Sequence, residues 1–268
     1  MIHGVVSKAH RAGRVHALCD GAGTFFEQLA SAFPDATPAD VAAAAALDPQ
    51  AFAPDGSWRL HFHAFLVQLH AGGTVLVDAG IGDADAPANA WAPTPGRLPQ
   101  HLAALGTSCE DIDLVVLTHL HSDHVGWSVS GGRPLFPNAR YVAPRADHDA
   151  VERLSPRVRA EILRPLGETG QLDLVEGTVR LLPDVTTFPT PGHTPGHTCV
   201  VVERGDDTVV LSGDAVLNAL QLAAPHLAYR YDDDPGAARA SRLALLDHVR
   251  SRNAWLATSH LTEPFRRL

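Results

Sequence analysis

The run LTHLHSDHVGW, residues 117–127, constrains this chain more than any other stretch of it. It gathers His119, His121, Asp123 and His124 within six residues, directly after the apolar DLVV of a strand. Imidazole nitrogen and carboxylate oxygen suit zinc, with other first-row metals as candidates. His119 and His121 are two residues apart, so on an extended backbone both rings point to one face. Asp123 and His124 follow in the turn, close enough to serve a second ion. Structural zinc sites more usually use cysteine, and none of Cys19, Cys109 and Cys199 lies in this run. Nitrogen and oxygen ligation with few ligands per ion leaves positions for water and substrate, which is the catalytic arrangement.

Three later segments share the design of DLVVLTH (113–119). TVVLSGD (208–214) and AWLATSH (254–260) are apolar, β-rich runs that stop at Asp214 and His260, and TTFPTPGH (186–193) is a more broken version ending at His193. Gly192 adopts backbone angles other residues avoid, which lets the chain turn and present His193 inward. A carboxylate has two oxygens, so Asp214 is able to bridge two cations. Phe62–Leu69 and the TVLVD that follows Ala71-Gly72-Gly73 read as a hairpin. Helices are expected after Thr37-Pro38 and Asp234-Pro235, over Leu98–Leu105 and over Pro144–Leu154. The second of these carries an apolar stripe of Leu243, Leu246 and Val249. Strands alternating with helices predict an α/β fold whose functional groups sit on loops at strand ends.

The 268 residues are 45% hydrophobic, enough for a sizeable core, and no composition shift or linker divides them. A single domain over residues 1–268 is expected, with about 1–57 forming an extension beside the substrate. The net charge is −9 and Lys and Arg form no long block, which disfavours nucleic acid as a partner. No apolar run reaches the ~18 residues of a membrane span. The opening MIHGVVSKAHRAGRVH lacks the apolar stretch of an export signal. A cytoplasmic protein acting on a small molecule is expected, its three cysteines free thiols. The oligomeric state stays open, a homodimer among the alternatives.

H-x-H-x-D-H, then G-H, S-G-D and a C-terminal His resembles the metallo-β-lactamase superfamily of hydrolases. Between the motif elements lie 68 residues (His124 to His193), 20 (to Asp214) and 45 (to His260), spacings that fit. VLVDAGIG (75–82) resembles the early Asp-x-Gly strand end of that family. The resemblance runs from about Leu60 onward and is weaker over the first 55 or so residues. It implies an αββα four-layer sandwich with the site at the shared edge of two sheets. It implies two divalent ions, zinc before manganese, iron(II) or cobalt, with His119, His121 and His193 on one and Asp123, His124 and His260 on the other. Asp214 would bridge and Asp78 would orient a ligand or cap a turn. His197 is expected to pack beneath the metal loop, and His61 and His63 to lie on a solvated strand face.

The chemistry so implied is attack on an ester or lactone carbonyl by a hydroxide shared between the metals, with Asp123 relaying a proton. THLHSDHVGW, FPNARYVAPRADHD and HLTEPF look most like the lactonase and organophosphate-hydrolase branch. Quorum-quenching lactonases carry a Tyr three residues after the bridging Asp, whereas this chain has Leu217. Tyr229 or Tyr231 stands as a substitute, and Phe25 and Phe26 as apolar substrate contacts. A thioesterase, an organophosphate hydrolase and a β-lactamase are the alternatives within the fold. An iron redox enzyme is disfavoured by His121 where the di-iron branch favours Glu. A non-catalytic metal-binding module is disfavoured because no ligand is missing.

Overall fold

The computed structural model describes residues 4–268 and divides into two compact units. The first takes the described residues up to Gly21 together with Phe62–Val179; the second takes Ala22–His61 and Arg180–Leu268. Both boundaries near the N-terminus fall inside strands, so no linker-like sequence marks them.

The larger sheet has seven strands in the order β1-β2-β3-β4-β5-β8-β9. These are β1 Val5–His10, β2 Gly13–Thr24, β3 Arg59–Leu69, β4 Thr74–Val77, β5 Leu114–Val116, β8 Arg140–Pro144 and β9 Leu172–Val175. The two-residue strands β6 Val129–Ser130 and β7 Arg133–Pro134 form a separate hairpin. As the sequence predicts, β3 and β4 pair antiparallel across His70–Gly73. From β4 onward the pairing is parallel; β5 and most of β4 and β8 are apolar and buried, while the edge strand β9 is only half-buried. Leu66, Leu76, Val115, Leu117, Phe136 and Tyr141 join Leu98 and Leu102 of the helix Leu98–Ala104 in one buried cluster.

The second unit holds a six-stranded sheet, β10 Arg180–Leu182, β11 Val185–Pro189, β12 Thr198–Arg204, β13 Asp207–Leu211, β14 Trp255–Ala257 and β15 Phe265–Arg266, in chain order. Pairing is antiparallel except between β13 and β14. β11, β13 and β14 therefore run the same way and end at one edge of the sheet. The helix Pro235–Ser251 starts as expected, the Asp234 side chain accepting from the Ala237 amide. Its buried stripe is Ala238, Arg242, Leu245, Leu246 and Val249, while Leu243 is exposed. Leu246 and Val249 of the expected stripe are buried; Leu243 is not, because the buried Arg242 occupies the inner face at that turn. The helix Pro38–Leu47 is opened by a Thr37/Asp40 capping box. Among the described residues no helix is long and apolar enough to cross a membrane.

His63 departs from expectation: it is buried beside Phe65, and His61 is half-buried. The β3 strand lies within the sheet rather than on a solvated edge, so alternation there carries no exposed face.

In the first unit Asp20, at the end of a bend in β2, is a buried carboxylate that ties separate loops together. It accepts from the Ile81 amide (2.7 Å), the Leu98 amide (2.5 Å) and the Trp127 indole (3.0 Å). Burial pushes its pKa up to about 6, against the downward pull of those donors. A raised carboxyl pKa adds stability that is complete below the unfolded value of 3.8 and is lost as pH rises through about 6. The shift is worth roughly 3 kcal/mol in total. In the metal-free chain, urea unfolding of wild type and Asp20→Asn should diverge between pH 4 and 7. The stability difference should move by roughly 2–3 kcal/mol, favouring wild type at the acid end. A difference independent of pH would refute this account of Asp20.

Candidate metal centre

In the first unit, β4 and β5 run parallel, so the segments that leave their C-terminal ends emerge together. β5 stops at Val116, three residues before His119, and His121 is the N-cap of a single helical turn, Ser122–Val125. Strand alternation therefore does not bring His119 and His121 together; the loop and the helical turn do. The ring centroids of His119 and His121 are 4.7 Å apart, and those of His119 and His124 are 4.1 Å apart. His119, Asp123 and His124 are buried and His121 half-buried. Asp123 Oδ2 stands 3.4 Å from His124 Nε2.

Three neighbours fix this loop. Asp78, with a left-handed φ of 60°, accepts from the Thr118 amide (2.8 Å), the Thr118 hydroxyl (2.9 Å) and His124 Nδ1 (2.8 Å). The Thr118 hydroxyl also contacts His119 Nδ1 at 3.0 Å. Asp147, buried on the helix Arg145–Leu154, accepts from the Leu120 amide between the two histidines. Asp147 was not visible as a site residue, since nothing local separates it from an ordinary first-turn aspartate.

In the second unit, His193, Asp214 and His260 follow β11, β13 and β14 and leave the same edge of that sheet. The two oxygens of Asp214 face different imidazoles: Oδ2 is 3.3 Å from His193 Nε2, and Oδ1 is 3.0 Å from His260 Nε2. Behind them, His193 Nδ1 pairs with Asp232 Oδ1 at 2.9 Å, and His260 Nδ1 donates to the His61 carbonyl at 2.7 Å. His197 lies under the loop as expected, its Nε2 accepting from the Asp214 amide and its Nδ1 contacting the Thr190 hydroxyl. Burial lowers the His193 pKa, but hydrogen bonds and charges from Asp214 and Asp232 outweigh it and lift the value to about 9. A metal would have to displace that proton, so uptake tightens as pH rises.

The donor set fits divalent metal. In His119, His124, His193 and His260 the Nδ1 edge is engaged by an oxygen, which leaves Nε2 to present to an ion. Two atoms held by one tetrahedral zinc at about 2.0–2.1 Å stand roughly 3.3–3.4 Å apart. The carboxylate–imidazole pairs in each unit, at 3.0–3.4 Å, have this spacing.

Residues 62–260 match the metallo-beta-lactamase superfamily. The chain belongs to that superfamily. An N-acyl homoserine lactonase of Bacillus cereus is 29% identical over 150 residues, 56% of this chain and 53% of its own length. The match thus spans about half of that relative. Among solved structures, the fold is similar to AidC, a dizinc quorum-quenching lactonase in complex with the product N-hexanoyl-L-homoserine. That similarity has a TM-score of 0.78 at 23% identity, over 99% of this chain and 95% of that one. It is similar also to the hydrolase AbOPH of the beta-lactamase superfamily, with a TM-score of 0.81 at 23% identity, covering 100% and 94%. The metallo-β-lactamase fold expected from the motifs is the fold this chain has.

Of the substrate-side residues, Leu217 is buried three positions after Asp214, where its amide donates to Gln221 Oε1. Tyr229 is buried and its ring stacks on His193, centroids 6.1 Å apart and planes 27°. Tyr229 also meets Phe33 and Tyr231, and Tyr231 meets Phe25 and Phe26. Phe25 packs on Trp58, which sequence reasoning left unassigned. Phe26 is 62% exposed and Tyr231 42%. An aromatic wall thus runs from the surface of the second unit to His193.

Gly192 has φ of 130°, and a Cβ there would stand 2.0 Å from the Ala238 amide nitrogen. The obstacle is helix backbone, so it has no room to give. Gly192→Ala should displace His193 and lower metal affinity tenfold or more, the scale of perturbed ligand orientation. Zinc titration against a competing chelator checks it; wild-type affinity in the folded variant would contradict the packing.

Proposed function

We propose that this chain is a binuclear-metal hydrolase that cleaves a carboxylic ester or lactone of small, weakly charged, apolar-substituted substrates. The observation that carries the metal reading is Asp214, whose two oxygens face His193 and His260 separately. One ion would be held by His119, His121 and His193, the other by Asp123, His124 and His260, with Asp214 between them. Zinc fits the ligand chemistry, as do manganese, iron(II) and cobalt. When bound, such a pair supplies Lewis acidity and a water acidic enough to give hydroxide near neutral pH.

The chain's own residues do the rest. Asp78, Asp232 and the His61 carbonyl hold three imidazoles in one tautomer each. Asp123 would accept a hydrogen bond from the attacking water and pass a proton to the leaving oxygen. The wall of Tyr229, Tyr231, Phe25 and Phe26 offers apolar contact rather than a cationic clamp, which favours esters and lactones over phosphate-rich thioesters. N-acyl homoserine lactones are the substrates named for the curated relatives. Here Leu217 brings no hydroxyl to a developing oxyanion, and one such lost hydrogen bond costs ~10²-fold. Acyl-homoserine lactones are therefore expected to be secondary substrates.

Carefully prepared protein should carry about two transition-metal ions per chain and lose activity on chelation. Zinc, manganese or cobalt should restore it. Elemental analysis without metal, and activity indifferent to chelator, would end the proposal. Asp123→Asn should lower kcat by ~10²-fold or more with metal content retained, the usual worth of a general acid–base group. A near-normal kcat would remove Asp123 from the mechanism.

Substrate choice is tested by kcat/KM for aryl esters, simple lactones and acyl-homoserine lactones in wild type and Leu217→Tyr. The first two classes should lead in wild type, and the tyrosine should raise acyl-homoserine lactone turnover. Acyl-homoserine lactones as the best wild-type substrates by tenfold, or a tyrosine variant without gain, would overturn this assignment.

A further inference from the structure

The helix Pro235–Ser251 buries an arginine where the rest of its inner face is apolar. Arg242 is 1% exposed. Its Nε donates to the Ala215 carbonyl (3.1 Å), and Nη1 donates to the carbonyls of Pro225 (2.9 Å) and Leu227 (2.8 Å). Nη2 stands 3.7 Å from Asp232 Oδ2. Asp232 also receives the Tyr229 amide at Oδ2 and holds His193 Nδ1 at Oδ1. One guanidinium therefore reaches the residue after Asp214, the two ends of the short segment before Tyr229, and the carboxylate behind His193.

A buried cation is an expensive way to fill a core. Removing a guanidinium from water costs several kcal/mol, and a well-packed apolar side chain at such a position is often neutral or stabilising by comparison. The placement gains something a leucine could not supply: a counter-charge for a buried aspartate, and a rigid planar fork that fixes three carbonyls at once. The aspartate in turn fixes the His193 ring and makes its Nε2 a better donor.

We propose that Arg242 is a positioning residue which, through Asp232, sets the orientation of His193 and so the affinity for the metal His193 holds. This rests on the metal reading given above. Without Arg242, Asp232 loses its guanidinium counter-charge and the segment 215–232 loses its common anchor. The imidazole is then free to rotate, and one of the two ions is held more weakly than the other.

The test uses the full chain and zinc itself, titrated in competition with a chromophoric chelator, alongside thermal unfolding of the metal-free protein. Asp232→Asn keeps the shape and an oxygen for His193 Nδ1 but removes the charge; Arg242→Lys keeps a charge but loses the fork. Asp232→Asn should weaken one zinc site by 10–100-fold and leave the other within about threefold. Arg242→Lys should weaken the same site by several-fold, and the double variant should be less than multiplicative, since both act through one imidazole. Activity lost in either variant should return at raised zinc. A purely structural role predicts instead a lowered unfolding midpoint with both zinc affinities within twofold of wild type, and that result in either folded variant overturns the proposal. Wild type that binds no zinc would sink the metal reading itself, whereas wild type with two ions and an unaffected Asp232→Asn would sink only the role given to Arg242 and Asp232.

Discussion

The Nδ1 hydrogen bond is the constraint on which the rest of this structure depends. An imidazole has two nitrogens and rotates about two bonds, so a histidine on a loop is a poor metal ligand until one nitrogen is committed. In this chain His124 is committed to Asp78, His193 to Asp232, His260 to the His61 carbonyl, and His119 contacts the Thr118 hydroxyl. Each brace comes from a different element, and each element is rigid for its own reason. Asp78 leaves the end of a buried parallel strand. His61 pairs reciprocally with His260 through its own amide. Asp232 is tethered by backbone to the loop it serves, since the Asp233 amide donates to the His193 carbonyl and the Asp234 amide to that of Gly192.

Such bracing concentrates carboxylates where water does not reach. Asp78, Asp123, Asp147, Asp214 and Asp232 are all buried, and an unpaired buried carboxylate is strongly destabilising. Each is met by donors: amides, a hydroxyl, imidazoles, or the Arg242 guanidinium. Bound cations of charge two would add the attraction that offsets Asp123 and Asp214 together. On the proposed reading, stability and metal content would be coupled, because groups that repel or desolvate each other in the bare chain would become ligands when ions bind.

The candidate ligands are legible in the sequence because they are local. Four of them fall in six residues, and the other three each follow an apolar run by two to four residues, the offset at which strand ends carry chemistry. The caps at Thr37 and Asp234 were legible for the same reason. The braces were not. Asp232 lies 39 positions from His193 and reads as one of three consecutive aspartates before a proline; Asp147 reads as an ordinary helix aspartate. The stripe on the last helix was misread at Leu243 because Arg242 breaks the apolar period, and His63 because a strand with both faces covered shows no polar side. Two boundaries of the compact units fall within β2 and β3, where composition does not change, so nothing local in the sequence marks them.

Leu217 and Tyr229 lie on the segment between Asp214 and Asp232, which is anchored at several points. At one end the Asp214 amide is held by His197, and at the other Asp232 is held by His193. Arg242 pins the carbonyls of Pro225 and Leu227 just ahead of Tyr229. Side chains between those anchors are free to vary in size and polarity at little cost to the ligand geometry, whereas the anchors are not. Leucine at position 217 and an aromatic ring from position 229 stacked on His193 give this segment apolar surface at both ends. On the proposed reading, a carbonyl substrate would gain its selectivity from how its apolar substituent meets that surface, with the electrostatic work left to bound metals and Asp123.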